Sequence, residues 1–567
     1  MKYFCSKDCP DLCEFEFIKN TNKVIFKALS SNYLKNNFVC NKLKKFYVRE
    51  IENNCESYFL DNNGNKQRGN ALDVINKLAN FLKSNKNKKI LFLRGSGSIA
   101  YNMSYWDLLM SHFPNTFYID GSPCDETGIL AHIEDFGLCY NPDIKNLEKV
   151  ESIFLFGKNA KVTSPHLYAY IKNMKKSGKK IIYIDPIQTE TANIADYYIP
   201  INPASDNILC ALILKKLMLI DNIFDEERLY EYAGVNETIV DSLVNLIKYK
   251  KTAIITGYGL QRYKNGKNIV KWINKLAYLT DNLEFLYYGR SSKSQLKTLT
   301  INKKNIVNIA DVNHLLKNNF FDIIFVVAAN PAVTYPDSNL WKVSLKNAIS
   351  IVVDPVETET AKYANYYIKV GGMFCQEDIQ GSYFFNTLSI REERAVKNLP
   401  SDEDIITSLA SRLNVNINIT KVNELIVNDD DKERTYRSQE LKLVFPSRVD
   451  KKYRLLTSSH KLYLNSQYVN EDLNKDNYIY VASNIAYIEG IKNCDNVMLH
   501  NEKGSITGVC RVCDGLHNTV FIYKNRLLNG RSPNVLIESV ATDGQNGLAY
   551  YDTFVNISRI NESNIIT

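Results

Sequence analysis

Four cysteines near the start of the chain are the residues whose type and spacing could most plainly do chemistry. Cys5, Cys9 and Cys13 are each separated by three residues, and Cys40 follows after twenty-six more. A cubane iron–sulfur cluster needs four thiolates converging from different directions, and three from one tight loop with one from afar supply them. Zinc also accepts four cysteines, but structural zinc sites usually present two close pairs. The spacing therefore favours a cluster over zinc. The other cysteines carry less. Cys510 and Cys513 form a CxxC on or beside a strand, so they face opposite sides and read as structural. Cys55, Cys139, Cys210, Cys375 and Cys494 have no partner spacing. Twelve cysteines in 567 residues are too sparse for a disulfide scaffold.

A second chemical signal is an internal repeat. Residues 185–199 read DPIQTETANIADYYI and residues 354–368 read DPVETETAKYANYYI, identical at ten of fifteen positions. The pairs include Asp185/Asp354, Thr189/Thr358 and Thr191/Thr360, and each copy follows an apolar strand. Upstream, Asn159-Ala-Lys-Val-Thr-Ser-Pro165 echoes Asn330-Pro-Ala-Val-Thr-Tyr-Pro336. The period is far too long for a solenoid and points to two similar mononucleotide-type βαβ lobes. In the first, a strand ends at Phe156, Gly157-Lys-Asn159 forms the turn, Ser164 is read as an N-cap and Pro165 as the first helical residue. Leu167, Ile171 and Met174 follow at helical spacing, and Gly178 stops the helix. Such a turn presents free N–H groups and a helix dipole to a phosphate, and an acid ending the next strand can accept hydrogen bonds from a ribose or base. One copy alone reads as an ordinary βαβ unit; two copies favour two similar ligand halves held face to face.

The elements that must position these residues are legible in outline. From about residue 88, short apolar runs such as Ile90–Leu93, Ser152–Phe156, Ile181–Ile184 and Ile323–Val327 alternate with amphipathic segments, the pattern of parallel α/β domains. The charged run Val427–Arg434 marks a linker at about 421–450. Beyond it short strands, including Val509–Val512 and Thr519–Tyr523, predict a β-barrel. Hydrophobic content of 45%, charged content of 23% and a net charge of +8 are ordinary for a globular protein. No Lys/Arg block with interleaved aromatics points to nucleic acid, and no run of 18 apolar residues predicts a membrane span. No apolar leader or twin-Arg signal precedes Cys5, so the expected location is cytoplasmic.

Cys5-Ser-Lys-Asp-Cys9-Pro-Asp-Leu-Cys13 with Phe38-Val-Cys40-Asn-Lys42 resembles the N-terminal [4Fe–4S] motif of the dimethyl sulfoxide reductase superfamily of molybdopterin oxidoreductases. In that family a lysine two residues after the fourth cysteine lies between cluster and pterin; Lys42 matches it, while the glycine that often follows is Leu43. The resemblance continues in order to about residue 558. Gly157, Asn159, Asp185, Thr189 and Asp206 match one lobe that binds a guanine dinucleotide pterin. Gly257, Gly259, Asn330, Asp354 and Thr358 match the other. Asn465, Ser466, Gln467 and Asn534 match a capping β-domain. Asn365 in place of Asp196, and Gly371-Gly372, depart from the pattern.

The resemblance implies an α/β multidomain fold: a small [4Fe–4S] domain over 1–50, one Rossmann-like lobe from 51–118 with 252–420, a pseudo-symmetric lobe inserted at 119–251, the linker over 421–450, and a double-psi-like barrel over 451–567. It implies two molybdopterin guanine dinucleotides holding one Mo or W, and one [4Fe–4S] cluster on Cys5, Cys9, Cys13 and Cys40. Gly121-Ser-Pro-Cys124 resembles the segment carrying a cysteine metal ligand, which makes Cys124 the expected ligand and Ser122 the oxygen alternative. A thiolate suits such a soft metal. Asp125, Glu126 and His132 are near enough in sequence to handle protons, though a lone histidine more often serves structure. The implied function is two-electron redox chemistry on a small molecule, of formate dehydrogenase, nitrate reductase or sulfur-oxyanion type, with electrons exchanged with an iron–sulfur or flavin partner protein. The alternatives are a non-redox hydratase or transhydroxylase of the same superfamily and a non-catalytic electron-transfer scaffold.

Overall fold

The computed structural model describes residues 2–20, 23–29, 38–97, 99–221, 225–248, 250–289, 296–297, 299–427, 434–437, 440–472 and 475–560. Residues 428–433 of the charged run, and 30–37 of the Lys/Asn-rich stretch, lie outside them.

Three antiparallel strands, Lys2–Phe4, Glu14–Asn20 and Lys23–Ala28, form a small N-terminal sheet. Helix Lys42–Glu50 packs on it through Leu43, Phe46 and Tyr47, joined by Phe15 and Phe17. Leu43 is thus a core residue of this sheet–helix contact, which accounts for a large apolar side chain at that position.

An eight-stranded sheet comes next, ordered Asn305–Asn308, Thr116–Asp120, Ile90–Arg94, Ile323–Val327, Ile349–Asp354, Tyr366–Lys369, Ser57–Leu60 and Lys66–Gly69. Its first six strands are parallel and the last two form an antiparallel hairpin. Ile323–Val327 is buried along its whole length and Ile349–Asp354 at all but its first residue, so these strands are largely apolar runs rather than alternating ones, as parallel strands covered on both faces are.

A second, five-stranded parallel sheet is ordered Tyr197–Ile199, Lys180–Ile184, Ser152–Phe156, Thr252–Thr256 and Leu286–Tyr287. This corrects the expected end of the inserted lobe at residue 251. Strand Thr252–Thr256 pairs in parallel with Ser152–Phe156, and Leu286–Tyr287 pairs with it in turn. Helix Gly266–Leu279 shares the same apolar core, contributing Ile269, Trp272, Ile273 and Leu276. The inserted lobe therefore runs to about residue 287, because an apolar strand joins whichever sheet buries both its faces.

The C-terminal strands close a barrel in the order Tyr453–Ser458, Thr519–Tyr523, Tyr478–Ala482, Gly504–Cys513, Asn496–Asn501 and Phe554–Arg559. Within it Cys510 is buried and Cys513 only partly so, as residues three apart on one strand require. Residues 434–437 of the linker lie along the inserted lobe, whereas the Leu425 carbonyl accepts from the Lys297 amide at 2.8 Å. The Arg434 guanidinium donates to the carbonyls of Leu283 and Leu286, and Tyr436 stacks on Tyr278 at 4.2 Å. Among the described residues no helix is long and apolar enough to cross a membrane.

Candidate functional site

Cys5, Cys9, Cys13 and Cys40 line one small cavity together with Lys7, Lys42 and Phe46. The N-terminal hairpin brings the first three together: the Cys5 amide donates to the Cys13 carbonyl at 2.9 Å. Leu12 turns the chain with φ 45°. Cys40 arrives from the other side, and the Leu43 amide donates to its carbonyl at 3.1 Å as helix Lys42–Glu50 begins. Burial, then the neighbouring Cys40, pushes the Cys5 thiol up to about 12. Burial, Cys40 and Asp11 likewise push Cys13 well up. Four crowded, desolvated thiols become thiolates only around a compensating positive centre, which a metal cluster supplies. The buried Lys42 donates to the Val162 carbonyl of the inserted lobe at 3.0 Å.

The helix that follows Val162 shows how the two pieces are joined. Ser164 precedes helix Pro165–Lys176 as expected but makes no side-chain cap. Its hydroxyl donates instead to Asp11, and Asp11 Oδ2 accepts from the His166 amide at 2.8 Å. A carboxylate from the cysteine loop caps this helix because an ionised acceptor outcompetes a hydroxyl for a free helix N–H.

Two clefts open between the lobes and the barrel. The first, about 390 Å³, is lined by Cys124, Asn330, Asp354, Thr358, Asn465, Ser466 and Gln467. The second, about 170 Å³, is lined by Cys124, Gly157, Asn159, Asp185, Asp206, Gly257, Gly259 and Asn465. Asp8, Cys124, Arg262, Asn465 and Lys524 line both, so Cys124 stands where the clefts meet. Lys7 lines the cysteine cavity and the first cleft, while Thr163 and Leu464 line that cavity and the second.

Cys124 is partly buried and its thiol is held up at about 11 by burial, then by Asp8 and Asp125, against the pull of Arg262 and Lys524. Arg262 Nη2 lies 3.7 Å from its sulfur. Ser122 also lines the first cleft, but its hydroxyl accepts from the Cys124 amide at 3.0 Å and donates toward Asp125 at 3.4 Å. That hydroxyl is spent on shaping the loop. His132 lies between the rings of Tyr288 and Phe136. Burial, with Arg434, drops it to about 3, so it is a neutral packing residue outside both clefts.

The sequence profile for molybdopterin oxidoreductases matches residues 69–368. The chain belongs to the molybdopterin oxidoreductase family. Among its relatives, the probable oxidoreductase YyaE of Bacillus subtilis (strain 168) is 27% identical over 334 residues, covering 52% of this chain and 50% of that protein. The assimilatory nitrate reductase catalytic subunit of the same organism is 24% identical over 363 residues, covering 52% of this chain and 51% of that one. The chain thus matches about half the length of these relatives. In fold it is similar to the acetylene hydratase from Pelobacter acetylenicus, with a TM-score of 0.77 at 13% identity, covering 99% of this chain and 100% of that structure.

Three placements differ from those the sequence predicts. Gly257 and Gly259 line the second cleft beside Gly157, not the first, because their strand belongs to the inserted lobe's sheet. Thr189 lines neither cleft; its hydroxyl shares a hydrogen bond with Tyr183 Oη at 2.8 Å and supports the loop behind Asp185. Asn534 is buried behind the first cleft, where its amide donates to the Val333 carbonyl at 2.6 Å and to Asn525 at 3.1 Å. Lys524 and Asp8, which line both clefts, are not among the residues the sequence predicts. Lys524 is a single lysine after a barrel strand with no local signal; Asp8 stood within the cysteine motif and was legible. Burial, then Arg262, lowers Lys524 to about 8.

Proposed function

We propose that this chain is the catalytic subunit of a molybdopterin oxidoreductase that holds two molybdopterin guanine dinucleotides in the two clefts, one Mo or W beside Cys124, and a [4Fe–4S] cluster on Cys5, Cys9, Cys13 and Cys40. The observation that carries it is the arrangement: one cysteine at the junction of two clefts, and a four-cysteine cavity adjoining both. The clefts suit polar dinucleotides. Gln467 Oε1 and Asn525 Nδ2 line or edge the first cleft, buried and without a partner among the described residues. One is an acceptor and the other a donor, and each costs free energy until a ligand satisfies it. In the second cleft Gly157, with φ 56°, and Gly257 bring two backbone segments so close that a Cβ on Gly257 would overlap the Gly157 carbonyl. That leaves room only for backbone beside a phosphate.

When bound, a dithiolene-held Mo or W supplies two-electron redox chemistry, and the cluster supplies single-electron exchange with an iron–sulfur or flavin partner. The chain's own residues divide the remaining work. Cys124 offers a sulfur ligand, held in place by Ser122 and faced by Arg262. Arg262 and Lys524 offer two cationic donors where the clefts meet, partly offset by the Asp8 carboxylate, for an anionic small molecule to engage. Asp185 and Asp206 face the second cleft as buried acids, able to accept from base or ribose donors. Lys42 bridges the cysteine cavity to the inserted lobe.

Metal analysis with EPR on anaerobically purified protein, wild type against Cys124→Ala, tests this reading. About four Fe and one Mo or W per chain, with an Mo(V) or W(V) signal altered by the substitution, is the expected result. Zinc in the cysteine cavity, or fully loaded protein without Mo or W, overturns it. Turnover with redox dyes separates an oxidoreductase from a hydratase of the same family.

A further inference from the structure

His166 stands against the cysteine cavity without being part of the motif that forms it. It comes from the first turn of helix Pro165–Lys176 and is only 5% exposed. Its Nε2 lies 2.7 Å from the Phe38 carbonyl oxygen, and its Nδ1 lies 3.3 Å from Cys13 Sγ and 3.2 Å from Asp11 Oδ2. The Phe38 ring stacks on the imidazole at 4.3 Å, tilted by 10°, and fixes its plane.

A carbonyl oxygen only accepts, so Nε2 donates to Phe38. A free Cys13 thiol could donate its own proton to Nδ1. A metal-bound Cys13 has none to give, and both neighbours of Nδ1 are then acceptors: a thiolate sulfur and a carboxylate that already accepts from Ser164 and the His166 amide. The arrangement is complete only with a second proton, on Nδ1, which makes the ring an imidazolium paired with the Asp11 carboxylate and shares that N–H between Asp11 Oδ2 and Cys13 Sγ. Asp11, Cys13 and His166 also present three metal-ligand atoms within 4.8 Å of one another. The carboxylate is already committed to capping the helix, so the group fits a hydrogen-bond set rather than a separate metal site.

Resting on the cluster reading above, we infer that His166 is a positioning residue for that cluster: its Nδ1–H donates to the sulfur of Cys13 and raises the cluster's reduction potential. A hydrogen bond to a cysteinyl sulfur withdraws charge from it, which favours the more negative, reduced cluster. The electron comes from the external mediator or partner, and no proton moves in the step.

The test compares wild type, His166→Leu and His166→Gln, purified anaerobically, by iron content and by EPR-monitored redox titration of the cluster. A wild type without about four Fe per chain refutes the cluster reading itself, whatever His166 does. With iron equal in all three, His166→Leu is expected to be at least about tenfold less reduced at the wild-type midpoint, a shift of about 59 mV for one electron. His166→Gln, whose amide can still donate, is expected between the two. Equal midpoints at equal iron content overturn the inference and leave His166 a packing residue of its helix. If His166→Leu fails to hold iron, wild type against His166→Gln decides: a lower midpoint in the variant supports the inference and an unchanged one overturns it.

Discussion

Asn159 and Asn330 organise their lobes with the same bonds. Each side-chain oxygen accepts from a threonine hydroxyl of the repeat, Thr191 at 3.0 Å and Thr360 at 2.7 Å. Each threonine accepts from a backbone amide of the following helical turn, Lys161 or Ala332. Asp185 and Asp354 each accept at Oδ1 from the amide two residues on, and each has a tyrosine hydroxyl on its carbonyl. The surroundings of the two acids then part. Asp185 accepts from the Tyr183 hydroxyl and shares its cleft with Asp206. Asp354 lies 3.7 Å from the Arg49 guanidinium, on the helix of the cysteine domain. Burial pushes Asp185 up to about 7, while burial opposed by Arg49 leaves Asp354 at about 6. The repeat duplicates the backbone frame; residues outside it set the field each acid works in.

The largest effect that bears on this comparison belongs to the close backbone approach. Gly257→Ala drives a methyl into the Gly157 carbonyl and is expected to cost about 3 kcal/mol in denaturant unfolding. Gly259→Ala meets only the Tyr551 ring edge at 3.5 Å and should be mild. Equal losses would break the assignment of the tight contact to Gly257. Next, Thr191→Val removes the hydroxyl that donates to the buried Asn159 oxygen, at about 2 kcal/mol. Thr360→Val should cost less, about 1 kcal/mol, because Asn330 Oδ1 also accepts from the Thr360 amide at 3.1 Å; a larger loss at Thr360 than at Thr191 would break this comparison.

The acids differ through pH. A carboxyl raised in the folded state contributes stability that is full below its unfolded pKa and is lost as pH rises through the folded value. For Asp185 that window runs from about pH 4 to pH 7, and for Asp354 only to about pH 6. In ligand-free protein, Asp185→Asn should therefore gain on wild type, by on the order of 1 kcal/mol per pH unit, as pH rises from 4 to 7. Asp354→Asn should gain less, because it also removes the partner of Arg49. A flat difference curve for Asp185→Asn would sink the distinction. The smallest effect is expected of Asn365→Asp, below about 0.5 kcal/mol. Asn365 already accepts from the Ser350 amide at 2.8 Å, as Asp196 does from Ile181 at 2.8 Å.

What the sequence disclosed was whatever lies in short-range pattern. The four cysteines, Lys42, the duplicated Asp–Thr–Thr segment and Cys124 each sit in a recognisable local string, and the structure groups the cysteines with Lys42 and sets Cys124 between the clefts. What it concealed was the choice among long-range partners. Thr252–Thr256 is apolar enough for either parallel sheet, and only its pairing with Ser152–Phe156 shows which one it joins. Ser164 looks like a cap until Asp11, 153 residues away, takes the role. Lys524 reaches Cys124's surroundings from the far end of a barrel strand, a proximity no local periodicity encodes.

The capping of helix Pro165–Lys176 by Asp11 has a dynamic consequence. The His166 amide proton is bonded to a loop of another domain, so its exchange with deuterated water opens a window on that loop and not only on its own helix. Loosening the cysteine loop, for example by Asp11→Ala, would release this amide while those deeper in the helix stay protected. One peptide spanning the start of the helix would then serve as a built-in gauge of whether the N-terminal loop is seated.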